Sequence, residues 1–311
     1  MEINQFNIDM FLNKYINFVD SISNKFYYDN NIKHLLYIII PAFIIKYGIA
    51  NESKILNIFK NVEILINETQ NNHNVASFNR KIIKINNNYK LDKTIILNRY
   101  NKISLIDLID SLIHEFNHAM NSINNEIIID QEYIYLRNGI TCIKYEKESL
   151  KKVTNDFNDI VLEEVLNTIQ TEQIINIILF WDKYKAEIKN VEFNNILYAL
   201  NNEVKTKYTS KAYMLQTFVS RELVKNKTFI NTLEQLRFTG DVSDIQSWFD
   251  NITDINNSYK ALCNKLYNLQ ELEKQYINSK WLKKRVLYKI RISLNQIVEI
   301  IETFNKNCVY K

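Results

Sequence analysis

A chain of 311 residues with 46% hydrophobic and 24% charged side chains can bury a sizeable core and lacks the composition of a disordered polypeptide. Its 39 basic and 35 acidic residues leave a net charge of +4, too balanced to mark a nucleic-acid-binding protein. With only 3 Gly and 1 Pro, the composition argues against an all-β architecture built on tight turns and favours long helices joined by Asn-rich loops.

The opening MEINQFNIDMF has no basic segment followed by an apolar one, so no signal peptide is expected and a cytoplasmic location follows. Residues 5–28 show helical spacing through Phe11, Leu12, Tyr15, Ile16, Phe18, Val19 and Ile22. A second helix is expected from Ile32 to Tyr47, stopped at Gly48. Its apolar run, Leu35 to Ile45, contains Pro41 and is well short of the roughly 20 residues that span a bilayer. It reads as a buried core helix, with no transmembrane segment in the chain. A short helix over Ser53–Lys60 follows, capped by Asn51 or Ser53. His34, alone before an apolar run, reads as structural.

The pattern then changes period. Val62–Ile66, Lys81–Ile85 and Thr94–Leu97 are strand candidates linked by Asn-rich segments. His73 lies in one of these segments, NNHN, and reads as a solvated loop residue.

Ser104 to Met120, SLIDLIDSLIHEFNHAM, carries the chemistry. Leu105, Leu108, Ile109, Leu112, Phe116 and Ala119 form a helical apolar stripe, and Ser104 with Asp107 has the form of a capping box. Beside it runs a polar stripe, Asp107, Ser111, His114 and His118. His114-Glu115-Phe116-Asn117-His118 is an H-E-x-x-H motif, and it holds two of the 4 His in the chain. Residues four apart share a helix face, so both imidazoles can reach one zinc ion. Glu115 lies beside that position, where a carboxylate can accept a proton from water activated by the metal. Asp107 and Asp110 are on the same helix, with solvent as their default neighbour.

Downstream, Asn138-Gly139 between alternating apolar residues predicts a β-hairpin within Asp130–Lys144, with Cys142 on one strand. Cys142, Cys263 and Cys308 are far apart and read as free thiols. Helix resumes near Asn155, and beyond Glu187 continues almost to the end, with breaks near Gly240-Asp241 and Asn256-Asn257. The basic aromatic stretch Trp281–Arg291 has the make-up of a surface for an acidic partner, but reads first as a helix whose Lys and Arg stems cover apolar neighbours.

A hydrolytic zinc site needs three protein ligands and one open position. Asn121 and Asn124 occupy the places where the metzincin pattern has Gly and His, which excludes that class and directs the search to a carboxylate on a later helix. Leu162-Glu163-Glu164-Val165-Leu166-Asn167, followed by Glu172, is similar to the L-x-E-G-x-[NT] segment of many bacterial zincin-like proteins. Over roughly residues 60–180 the chain resembles the gluzincin type of zincin metallopeptidase. The resemblance implies His114, His118 and Glu164 as ligands to Zn2+, Glu115 as the general base, and a peptide or protein as substrate. Val165 stands where the family commonly has Gly, which keeps Glu163 open as the third ligand. Tyr208, Tyr213 and Arg221, expected on later helices, are candidates by residue type to stabilise an oxyanion. The expected fold is α+β and predominantly helical: an N-terminal helical region (1–60), a zincin-like core with a small sheet and the motif helix (61–186), and a helical C-terminal subdomain (187–311). No nucleic-acid partner is expected.

Overall fold

The computed structural model describes residues 8–67, 75–86, 88–98, 100–121, 126–153, 160–239, 245–279 and 282–308. The protein is α+β with helices dominant. It divides into two units interleaved in sequence: residues 1–120 with 170–210, and residues 121–169 with 211–311.

In the first unit the expected N-terminal helix is two, α1 (Ile8–Asn13) and α2 (Ile16–Phe26), broken at Lys14-Tyr15. α3 (Asn30–Tyr47) is capped by Asp29, whose side chain accepts from the Ile32 N–H at 2.8 Å, and ends at Gly48 with φ 86°. Every residue from Leu35 to Ile44 is buried, which makes α3 the core helix its composition suggested. Among the described residues no single helix is long and apolar enough to cross a membrane. Asn30–Tyr47 and Ile49–Asn61 meet that test of length and composition only as a pair, bent by 113°. α4 (Glu52–Asn61) follows, but Asn51 does not cap it; the Asn51 amide donates instead to the Tyr47 carbonyl at 2.8 Å.

Three strands come next, β1 (Glu63–Asn67), β2 (Ala76–Ile85) and β3 (Asn88–Asn98), in the order β1-β3-β2. β1 runs parallel to β3, with Ile64 opposite Ile95, while β2 and β3 form an antiparallel hairpin paired from Ala76↔Leu97 to Ile85↔Asn88. α5 (Leu105–Met120) packs on this sheet in the same unit. Its stripe is buried from Leu108 to Met120, and Phe116 packs with its ring tilted against Phe59 (4.2 Å between centroids) and edge-to-face against Phe43 (6.3 Å). That aromatic cluster fixes the motif helix to α3 and α4.

The α5 N-terminus is fully satisfied. Ser104 Oγ accepts from the Asp107 N–H (3.2 Å) and donates to the Asp107 carboxylate (2.7 Å), and the Leu108 N–H reaches the Ser104 carbonyl. The two remaining N–H groups, of Leu105 and Ile106, donate to the carboxylate of Glu203 at 3.4 and 2.9 Å. Glu203 ends α7 (Val191–Glu203), in the same unit. A carboxylate here meets both the orphan donors and the positive end of the helix dipole. Glu203→Ala is therefore expected to cost about 1 kcal/mol of stability in urea denaturation, and Ser104→Ala a similar amount.

The second unit begins with an antiparallel sheet, β4 (Ile127–Ile129), β5 (Tyr133–Asn138) and β6 (Thr141–Glu146). β4 was not anticipated. The hairpin is at the expected place, with Cys142 on β6, but its two-residue turn is Gly139-Ile140, because Asn138 still pairs with Thr141. Gly139, at φ 61°, occupies the first loop position, where a type II′ turn calls for glycine.

α6 (Ile160–Phe180) is continuous across the division between units, its residues to Ile169 counted with the second and those from Gln170 with the first. The second unit is completed by α8 (Met214–Lys225), α9 (Lys227–Thr239), α10 (Ile245–Thr253), α11 (Ser258–Asn278) and α12 (Lys283–Cys308). Its core joins Val161, Leu162, Val165 and Leu166 of α6 to Phe229, Phe249 and Phe304, the last two stacked at 4.4 Å. Gly240 and Asp241 lie outside the described residues, as do Asn155–Asn158 at the expected start of α6 and Trp281 at the head of the basic stretch. Along α12, Val286 and Ile290 are buried while Lys284, Arg285, Lys289 and Arg291 are exposed.

Candidate metal centre

The two motif histidines lie one turn apart on α5, their rings 5.0 Å apart and inclined at 73°. His118 is buried, and His114 and Glu115 are half-buried. Between them Asn117 is fully enclosed; its Oδ1 accepts from the Tyr47 hydroxyl (2.7 Å) and its Nδ2 donates to Thr171 Oγ1 (3.1 Å). These bonds pin α5 against rotation about its axis and tie it to α6 within the first unit. The sequence motif leaves this position unspecified, so nothing in the pattern flagged Asn117.

The first half of α6 has no solvent stripe. From Val161 to Glu172 every residue is buried except Glu164. The Glu163-Glu164 pair therefore faces two different environments. Glu163, 1% exposed, accepts from the backbone N–H of Ile140 at 3.0 Å through Oε2 and from Asn121 Nδ2 through Oε1. The same Asn121 amide donates to Asn167 Oδ1 at 3.0 Å. Gly139 sits so close over this carboxyl group that a Cβ there would collide with all three of its heavy atoms. Glu163 is thus committed to the hairpin tip and to Asn121.

Glu164 points elsewhere. A nitrogen from each of His114 and His118 and an oxygen of Glu164 all lie within 4.8 Å of one another. A closed tetrahedral set on zinc has its ligand atoms about 3.3 Å apart, from bond lengths of about 2.0–2.1 Å. Small side-chain rotations close that gap. Two imidazoles and one carboxylate also form a donor set with a position left open, the pattern of a hydrolytic zinc. The residues present fit the metal.

Behind His114, one turn earlier on the helix, is Asp110. Its Oδ2 accepts from Ser210 Oγ at 3.4 Å, and the Tyr208 hydroxyl is near enough to act on the same carboxyl group. Burial pushes the Asp110 pKa up to about 6, opposed by the positive charge His114 can carry and by the hydrogen bonds from Tyr208 and Ser210. Burial, then the nearby Asp110 charge, pushes the Tyr208 phenol far above its usual range. The segment carrying Tyr208 and Ser210 is fastened to α6: the Tyr208 N–H donates to Asn176 Oδ1 (2.9 Å) and the Ser210 N–H to Glu172 Oε1 (3.0 Å). Tyr208 lies on this loop, not on a helix as expected; Tyr213 precedes α8 and Arg221 is within it. Asp107, by contrast, is exposed and engaged in the helix cap.

Of the remaining histidines, His34 faces Glu192 (3.6 Å) and stacks on Tyr37, and His73 lies outside the described residues. Cys142, Cys263 and Cys308 are not joined in disulfides. No family pattern matches the chain, and no characterised protein or solved structure is significantly similar to it.

Proposed function

We propose that the protein is a zinc-dependent metallopeptidase with a zincin-like core, in which His114, His118 and Glu164 hold the metal and Glu115 is the general base. The convergence of those three side chains on one point carries the reading. The intact Glu115 directs it to hydrolysis. A zinc ion bound there would lower the pKa of water toward neutrality and polarise the scissile carbonyl.

The chain's own residues do the rest. Glu115, next to His114 and half-exposed, accepts the proton of the attacking water and returns it to the leaving amine. Asn117, through Tyr47 and Thr171, fixes the rotation of α5 and so the direction in which both imidazoles project. Glu163 holds the first turns of α6 through Ile140 and Asn121, which sets where Glu164 reaches.

The test is hydrolysis of a mixed peptide library by the zinc-loaded protein, read by mass spectrometry with and without 1,10-phenanthroline. Cleavage that stops on chelation and returns with added zinc supports the reading. Equal cleavage with the chelator, or none under any metal, counts against it.

A further inference from the structure

We infer that Asp110 is the positioning residue for His114, held in place by Tyr208 and Ser210; this rests on the metal-centre reading above. Asp110, His114 and His118 follow one another at four-residue spacing and make one stripe along α5. A histidine that gives one ring nitrogen to a metal needs an acceptor for the N–H on the other, which fixes the ring's tautomer and tilt. Asp110 is near enough to His114 for their charges to interact. Its Oδ1 is wholly enclosed and has no hydrogen-bond partner, while Oδ2 accepts from Ser210.

An enclosed, unpaired carboxylate oxygen is costly unless some state of the protein supplies its donor. The neighbour able to do so is the imidazole one turn away. The supporting loop gives the arrangement its stiffness. Tyr208 and Ser210 meet Asp110 from 98 and 100 positions further along the chain, and their backbone N–H groups are anchored to Asn176 and Glu172 on α6. All of these residues belong to the first unit. The Asp110 carboxyl group is therefore held through Oδ2, with Tyr208 beside it, and Oδ1 is left for His114.

The experiment measures zinc affinity by competition with a chromophoric chelator, and the visible spectrum of the cobalt-substituted protein, for wild type, Asp110→Asn and Tyr208→Phe. Asp110→Asn is expected to weaken zinc by about 10- to 100-fold and to shift the cobalt bands, with the urea midpoint of the metal-free protein retained. Tyr208→Phe is expected to weaken zinc by a few-fold, because Asp110 keeps its place but loses one support. A purely structural Asp110 would lower the urea midpoint and leave zinc affinity and the cobalt spectrum unmoved, which overturns the inference. Should Asp110→Asn not fold, unchanged zinc affinity in Tyr208→Phe overturns it equally. Wild type that binds no zinc removes the metal centre itself, an outcome distinct from a wild type that binds and variants that match it.

Discussion

Purified without chelators, the wild-type protein is expected to carry about one zinc per chain, and Glu164→Ala to lose it. Glu164 is the single residue between Val161 and Glu172 that is not buried, and the Glu163 carboxyl group is already taken by Ile140 and Asn121. Deleting a direct ligand should weaken zinc by more than the roughly 100-fold seen on loss of an outer partner. Glu115→Gln separates holding the metal from using it. The amide keeps the shape of Glu115 and cannot take a proton, so zinc content stays near wild type while peptide hydrolysis falls about 1000-fold. Elemental analysis beside the peptide assay checks both. Zinc in every sample with no hydrolysis in any would recast the protein as a metal-holding scaffold. No zinc in folded wild type would reduce the motif to two histidines on a core helix.

What the sequence displays of this site is its local part. H-E-x-x-H, the apolar stripe from Leu108 to Ala119 and the Ser104-Asp107 cap are all encoded within one helix, where a 3.6-residue period makes them readable. The supports for that helix are not local. Glu203 closes the α5 N-terminus from almost a hundred residues away, and Ser210 reaches Asp110 over the same distance. No periodicity carries such information.

Strand length was hidden for another reason. β2 and β3 extend well beyond KIIKI and TIIL through Asn79, Lys90 and Asp92, residue types depleted in strands, which are nonetheless paired because the hairpin continues into solvent. The turn at Gly139-Ile140 was displaced from its Asn-Gly signal by tertiary demands. Ile140 is buried and its N–H is committed to Glu163.

The Glu163-Glu164 pair was hidden for a third reason. Glu163, Asn167, Gln170 and Thr171 recur at helical spacing and have the form of a solvated polar stripe, yet all four are buried. A buried carboxyl group needs donors, and for Glu163 these come from Asn121 and Ile140, which no local pattern connects to it.

The largest losses of stability are expected where Gly139 meets Glu163. Glu163→Ala leaves the Ile140 N–H and one N–H of the Asn121 amide enclosed without their acceptor, at a cost of about 3 kcal/mol. Glu163→Gln should cost less, but not nothing. Both of its present partners donate, and an amide has only one end that accepts, so it can meet both only by turning Asn121 over and disturbing the bond from Asn121 to Asn167. Gly139→Ala attacks the same contact from the other side, since the new methyl group meets the carboxyl of Glu163 at a residue with φ 61°. It should cost about 3 kcal/mol in the wild type, of which about 1 is the backbone penalty for φ > 0. In the Glu163→Ala background the collision is gone and only the backbone penalty remains. A double-mutant cycle measured by urea denaturation should therefore show Gly139→Ala costing about 2 kcal/mol less there than in the wild type. Additive losses would mean that the hairpin tip and α6 do not touch through Glu163. Zinc affinity in Glu163→Ala should fall as well, since the turn of α6 that carries Glu164 then loses its ties to Ile140 and Asn121.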